Sequence, residues 1–220
     1  MERVAKRDSL VWVIFDVDGT VADTLPLCLD AYRHAFAVHG HPGVDDDQIR
    51  SLFGADDEGI IRALLGDAWE PCYADYFAYY TREHEARVRP IAGVRGLLAE
   101  LARRGVRLSV LTGKGEATAR YSLAQLGLLG FFDDVVCGSP DGLVKRERLV
   151  EMLASSRLSG NQVAYVGDHP DDVIAAREAG IVAVGVAWTP DSSAEALRAA
   201  GAAIVALRPE DMLAFVTQVA

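Results

Sequence analysis

Short, wholly apolar runs recur along this chain, and they limit what it can fold into. Leu10-Val-Trp-Val-Ile-Phe15 is continuous in hydrophobic residues and rich in β-branched and aromatic ones. A strand with one face in water alternates polar and apolar residues, whereas an unbroken apolar run suits a strand buried on both faces. Similar runs recur at Arg107–Leu111, Val135–Cys137, Gln162–Val166, Ile181–Val186 and Ala203–Val205. Helical patterns lie between them. Val94–Arg104 sets Leu97, Leu98 and Leu101 on one face and stops before Gly105, a natural C-cap. Glu116–Leu126, Arg146–Ala154, Asp171–Ala179 and a last segment from Pro209 through Val216 repeat the theme. Strand and helix in alternation predict an α/β fold with a parallel sheet.

One stretch breaks the alternation. No strand pattern is evident between Thr24 and Arg89; Leu25–His39, Asp45–Leu52, Asp57–Leu65 and Glu70–Glu85 all read as helices. This predicts a core formed by residues 1–24 and 90–220, interrupted by a helical insertion over 25–89. The aromatics Tyr73, Phe77 and Tyr80 of the insertion read as core packing, with ligand stacking as the alternative. At 220 residues such a chain can bury a full core without metal or disulfide staples.

Charge narrows the partners. Thirty-two acids against 22 bases give a net charge of −10. Such a surface repels nucleic-acid backbones and anionic membranes but leaves room for a small phosphorylated ligand in a local site. The cysteines, Cys28, Cys72 and Cys137, are odd in number and far apart, which fits neither a disulfide framework nor a zinc site and reads as thiols idle in a reducing cytosol. The N-terminal segment lacks the long apolar core of a signal peptide, and no run approaches the length of a membrane span. A cytoplasmic location is expected.

The chemistry gathers at strand ends. The first strand runs into Asp16-Val-Asp18-Gly19-Thr20, and the Gln162–Val166 strand into Gly167-Asp168-His169-Pro170-Asp171-Asp172. Ligands of open α/β sheets bind outside the carboxyl ends of the strands. Two acidic ends facing one crevice repel each other unless a cation sits between them, and hard carboxylate oxygens suit Mg²⁺. Thr112-Gly113-Lys114 and Lys145 add a hydroxyl, a free N–H and two ammonium groups. Acids, a metal and these donors are what phosphoryl transfer from an oxygen ester needs.

Asp-x-Asp-Gly-Thr after the first strand, Thr after the second, a later Lys, then Gly-Asp-x-x-x-Asp together resemble the haloacid dehalogenase superfamily of phosphatases. Gly185-Val-Ala-Trp188, Leu197–Ala202 and Pro209–Leu213 resemble the tail of its phosphoglycolate-phosphatase-like branch. The resemblance implies a three-layer, Rossmann-like parallel core with an inserted helical cap. Asp16 is then the nucleophile that forms an aspartyl-phosphate, and Asp18 is the acid and base. Mg²⁺ is held by Asp16, the Asp18 backbone carbonyl and Asp168, with Asp172 acting directly or through water. Thr112 and the Gly113 N–H hold phosphate oxygens, Lys145 offsets the charge of Asp16 and phosphate, and Thr20 steadies the loop. Two unit charges about 4 Å apart interact by roughly 4 kcal/mol at an effective dielectric of 20, so a carboxylate attacking a phosphate dianion needs such an offset. Asp18 also favours phosphoester hydrolysis over dehalogenation, because an alkoxide leaving group needs a proton and a halide does not.

The chain departs from the family pattern in places. Arg146-Glu147 follows Lys145 where relatives often have proline, which leaves Lys114 as a substitute, otherwise placed at the rim or phosphate side. Gly113 stands where Asn is common, and His169 where a small hydroxyl residue is common. His169 is then a turn-former, or a substrate or acid–base residue. Arg33 and His34 read as surface helix residues or ligands. Asp56-Asp57-Glu58 is either a helix start favoured by the dipole or a pocket-facing turn that disfavours a carboxylated leaving group such as glycolate. The expected substrate is a small phosphomonoester, phosphoglycolate-like or a sugar or amino-sugar phosphate, bound by a monomer or homodimer. A phosphosugar mutase and a catalytically silent binding protein are the alternatives.

Overall fold

A computed structural model of the chain describes residues 9–142 and 145–217. The N-terminal residues 1–8, read above as lacking signal character, lie outside the described residues. Six strands form one parallel sheet: β1 (Trp12–Phe15), β2 (Arg107–Leu111), β3 (Asp134–Val136), β4 (Val163–Gly167), β5 (Val182–Val186) and β6 (Ile204–Ala206), in the order β3-β2-β1-β4-β5-β6. Every one falls on an apolar run picked out in the sequence. The α/β fold is as expected.

The unbroken apolar character of β1 has the cause inferred for it. Val13 and Phe15 face one core layer with Leu97, Leu101, Val110 and Met212. Trp12 and Ile14 face the other with Leu149, Tyr165, Val173 and Leu197. The first layer is covered by α5 (Val94–Arg103) and α10 (Pro209–Thr217), the second by α7 (Lys145–Ser156), α8 (Pro170–Glu178) and α9 (Ala194–Ala199), with α6 (Glu116–Gln125) following β2. The sheet spreads outward from β1 in both directions. Phe15 is in register with Val110 on one side and Val166 on the other, so three strands end level. The crevice above β1 and β4 is the switch point where ligands of such sheets settle.

Between β1 and β2 lie α1 (Leu25–Val38), α2 (Asp46–Arg50), α3 (Asp57–Leu65) and α4 (Trp69–Arg87), with no strand among the described residues. These helices share their own buried cluster, which includes Tyr32, Phe36, Ile49, Ile61, Tyr76 and Tyr80. Tyr32 and Tyr76 stack with ring centroids 4.3 Å apart. Tyr76 and Tyr80 are fully buried, which is the core-packing role. The chain leaves and re-enters the sheet at neighbouring points, since Ala22 pairs with Pro90 in an isolated bridge.

At the other end of the sheet, Gly160 lies against the turn before β5. A Cβ there would stand 1.9 Å from the Gly180 carbonyl oxygen. Gly160→Ala should therefore destabilise the protein by about 1–3 kcal/mol. Thermal unfolding checks this, and because the position is at the far end of the strands, the KM for any substrate should not move.

Candidate active site

Asp16 follows β1 directly, and its N–H donates to the Val166 carbonyl at 2.9 Å, continuing the ladder with β4. Its carboxylate is 6% exposed. One oxygen accepts from the Val17 N–H at 2.8 Å and the other from Lys145 Nζ at 3.0 Å. The nearby Thr112 hydroxyl favours its charged form. Lys145 reaches in from the first turn of α7 and donates at 2.6 Å to Asp172 as well. Burial opposes the charge on the Lys145 ammonium, but Asp16 and Asp172 outweigh it and hold its pKa well above the ordinary lysine range. The missing proline has not displaced this lysine.

Asp172 is buried, and its other oxygen accepts from the His169 N–H at 3.1 Å. Asp168 follows β4 directly and accepts from Ser192 Oγ at 3.1 Å. Asp16, Asp168 and Asp172 each offer an oxygen within 4.8 Å of the others. Gly19 is needed for that approach: its φ is +67°, and a Cβ there would fall 2.1 Å from Asp168 Oδ2. Trp188 Nε1 donates to the Gly19 carbonyl at 3.1 Å and steadies the loop from the far side. The Thr20 hydroxyl, expected to do this, is buried without a partner among the described residues. The loop is held instead by backbone bonds, such as the Val21 N–H to the Val17 carbonyl at 2.9 Å.

The carboxylates are uncomfortable together. Burial pushes the Asp16 carboxyl up and Asp172 adds to this, while Lys145 opposes both. Burial, with Asp16 and Asp172 adding to it, raises Asp168 to about 8. A hard divalent cation among these oxygens relieves that strain, and the donor set fits Mg²⁺.

Asp18 faces the cap. Its Oδ1 accepts from Thr24 Oγ1 and lies 3.3 Å from Lys114 Nζ. Lys114, expected at the rim or phosphate side, does line the site cavity beside Gly113, although it is not an open rim residue. It is instead 4% exposed, with its ammonium 2.8 Å from Cys28 Sγ of α1 and 4.8 Å from the Tyr80 ring centroid. It is therefore no substitute for Lys145, and it ties the acid loop to two cap helices. Cys28 was read as idle. Burial pushes its thiol up to about 12, so it stays protonated. Its neighbour could not be read from the sequence, because residues 28 and 114 meet only in the fold.

The acidic turn takes its helix-start form. Asp56 caps α3 by accepting from the Gly59 N–H at 2.9 Å, and Glu58 pairs with Arg62 at 2.6 Å. Asp57 is buried and accepts from the hydroxyls of Tyr32 and Tyr76, both at 2.9 Å, from Thr118 Oγ1, and from the Gly115 N–H at 3.3 Å. The last two belong to the start of α6, so a cap carboxylate caps a core helix. Asp56 and Glu58 are thus engaged in the helix start, whereas Asp57, held by these bonds, still lines the site cavity together with Gly54 and Ala55. His169 caps α8, with its Nδ1 accepting from the Asp171 N–H at 3.3 Å, which is the turn-forming role. Arg33 pairs with Asp30 and Asp46, and His34 packs on Tyr79, so both are surface helix residues.

These groups line a cavity of about 610 Å³. Its floor carries Asp16, Asp18, Gly113, Lys145 and Asp168, and its cap wall includes Leu25, Tyr32, Arg50, Phe53 and Ala55. No described helix is long and apolar enough to cross a membrane.

Two outcomes follow. Asp57→Ala leaves the Gly115 N–H and the Tyr32 and Tyr76 hydroxyls without their acceptor, so stability should fall by about 1–3 kcal/mol in denaturant melts. For Asp168, a carboxyl raised in the fold stabilises the cation-free protein below the ordinary carboxylate range, and this is lost as pH rises through about 8. In chelator, Asp168→Asn should thus gain stability relative to wild type as pH climbs from about 4 to about 8. Added Mg²⁺ should shrink or reverse the difference; a flat difference with pH would contradict the assignment.

The profile of the haloacid dehalogenase-like hydrolase family matches residues 13–186. The chain is 35% identical over 179 residues to the tyrosine-protein kinase PtkA of Mycobacterium tuberculosis, covering 80% of this chain and 62% of that protein. It thus spans less than two thirds of the length of that relative. It is 33% identical to the phosphoglycolate phosphatase of Rhodospirillum rubrum, covering 78% of this chain and 77% of that one. A solved haloacid dehalogenase-like hydrolase from Streptococcus pneumoniae superimposes with a TM-score of 0.74 at 26% identity, covering 94% of this chain and 98% of the other. With the fold, the acidic crevice and a profile match across most of the chain in agreement, the protein belongs to the haloacid dehalogenase-like hydrolase family.

Proposed function

We propose that this protein is a Mg²⁺-dependent phosphatase of small phosphomonoesters, working through an aspartyl-phosphate on Asp16. The observation that carries this reading is the buried Asp16 carboxylate, bound to Lys145 and facing Asp168 and Asp172 at the switch point of the sheet. The relatives named phosphoglycolate phosphatase support the same class, with a phosphoglycolate-like, sugar or amino-sugar phosphate as substrate.

In this reading residues 25–89 are a cap over a core of residues 1–24 and 90–220. Asp16, Asp168 and the Asp18 carbonyl, with Asp172 directly or through water, hold Mg²⁺, which when bound neutralises charge on phosphate and carboxylate. Asp16 Oδ attacks phosphorus in line with the ester oxygen. Lys145 offsets the charge of nucleophile and phosphate, and the Thr112 hydroxyl and Gly113 N–H receive phosphate oxygens. Asp18 gives its proton to the leaving alkoxide and then takes one from the water that opens the acyl-phosphate. The cap excludes bulk water during attack and opens for product release.

A second reading is phosphoryl transfer to an acceptor other than water, favoured by the 35% identity to a protein named as a tyrosine kinase. Phosphate release and transfer to protein tyrosine are separable with a labelled phosphoryl donor.

Asp16→Asn should abolish phosphate release from an aryl phosphate while thermal unfolding stays within a few degrees of wild type, since an amide cannot form the acyl-phosphate. Residual turnover above about a hundredth of wild type would remove Asp16 from the nucleophile role. Chelation should stop turnover and Mg²⁺ should restore it.

A further inference from the structure

The cations around the cavity are nearly all spoken for. Lys145 is bound to Asp16 and Asp172, and Lys114 lies against Asp18 and Cys28. Across the cap, Arg33 pairs with Asp30 and Asp46, Arg62 with Glu58, Arg82 with Glu83 and Arg87 with Asp30. Arg89 donates to the Val88 carbonyl at 2.8 Å. Arg50 is the exception. It lines the cavity, is exposed, and its guanidinium has no hydrogen-bond or ion-pair partner among the described residues.

Its placement is fixed from below. Arg50 ends α2, whose N-terminus is closed by a reciprocal capping box between Asp45 and Gln48. The preceding Ile49 is fully buried in the cap core. The Arg50 carbonyl accepts from the Phe53 N–H at 3.1 Å, which turns the chain so that Phe53, 45% exposed, lines the same cavity. A guanidinium and an aromatic surface thus stand together on the cap wall. The core side of the same lining is opposite in sign, with Asp23, Asp171 and Asp191. With the phosphate on the floor beside Asp16, the leaving group must extend between these two sides. A negative end on that group is repelled by the core side and drawn to the cap side, where guanidinium geometry matches carboxylate or phosphate oxygens in pairs.

We propose that Arg50 is the specificity-determining residue of the site, selecting phosphomonoesters whose leaving group is a short carbon stem ending in a second anion, carboxylate or phosphate, with Phe53 covering the stem. This rests on the phosphomonoesterase reading and deepens it. It stands against the expectation that the acidic cap turn disfavours carboxylated leaving groups: Asp57 of that turn lines the cavity but is bound by two tyrosine hydroxyls and the start of α6, and the proposal makes Arg50 the deciding charge.

The test is binding to the Asp16→Asn protein with Mg²⁺ present, measured by calorimetry, so that the result does not depend on turnover. The probes are phosphorylated ω-hydroxy acids, the matching alkanediol bisphosphates, and alkanediol monophosphates of the same length with a neutral end. The anionic probes should bind roughly tenfold to a hundredfold more tightly than the neutral ones, the scale of a charge-assisted bond. Arg50→Gln in the same background should erase most of that ratio, and Arg50→Lys should retain part of it. Comparing carboxylate with bisphosphate probes identifies which anion is preferred. Equal affinities for anionic and neutral probes, no measurable binding of the anionic ones, or a ratio untouched by Arg50→Gln would overturn the proposal; the last is expected if Arg50 serves only to pair with the acidic core rim. The phosphatase reading is judged separately, by aryl phosphate hydrolysis in the wild type. Its failure leaves the binding ratio still able to decide the role of Arg50.

Discussion

Three carboxylates that repel one another in a buried crevice are the constraint around which the rest of this structure is arranged. Asp16, Asp168 and Asp172 converge to within 4.8 Å because β1 and β4 are neighbours that end level. Burial first, and the neighbouring Asp16 and Asp172 second, raise the Asp168 carboxyl. The fold answers with Lys145, drawn from a third element and bonded to two of the three acids. What Lys145 leaves uncompensated is the electrostatic reason for a cation. The surroundings follow from the same geometry: Gly19 is bare so that Asp168 can approach, and Ser192 and Trp188 brace the two loops from the far side of the crevice.

Coupling between cap and core is equally physical. Asp57 receives two tyrosine hydroxyls from its own cap, and a hydroxyl and an N–H from the start of α6. A carboxylate at a helix N-terminus is favoured by the helix dipole as well as by its hydrogen bonds. Nearby, Tyr80 and His84 of α4 both bond to Ser122 of α6, at 2.7 and 3.0 Å. Lys114 bridges Asp18 to Cys28. The insertion therefore rests on the core through buried polar contacts close to the site, at Asp18 and α6.

Much of this was legible beforehand because it is periodic or local. Continuous apolar runs marked all six strands, since a strand buried on both faces has no polar position to alternate with. Glycine and proline marked helix ends. The motif acids and Lys145 were legible because they sit at strand or helix ends, where a side chain must face the crevice. The reading faltered wherever two segments distant in sequence meet. Lys114 lines the cavity as expected, but its burial against Cys28, 86 positions away, had no local sign. Thr20 looked like the brace of the loop, a role that falls to Trp188, 169 positions from the glycine it holds.

By itself, then, the sequence determined the class of fold, the order of its elements, the helical insertion after β1 and the acids gathered at strand ends, because each of these depends on spacing along one segment. Tertiary structure decided which charges are spent and which remain free. Asp57 is held by hydrogen bonds from both cap and core, whereas the Arg50 guanidinium, on the same cap, has none among the described residues. A charged side chain's chemistry depends on the partners that folding brings within about 3 Å of it, and no local pattern encodes those.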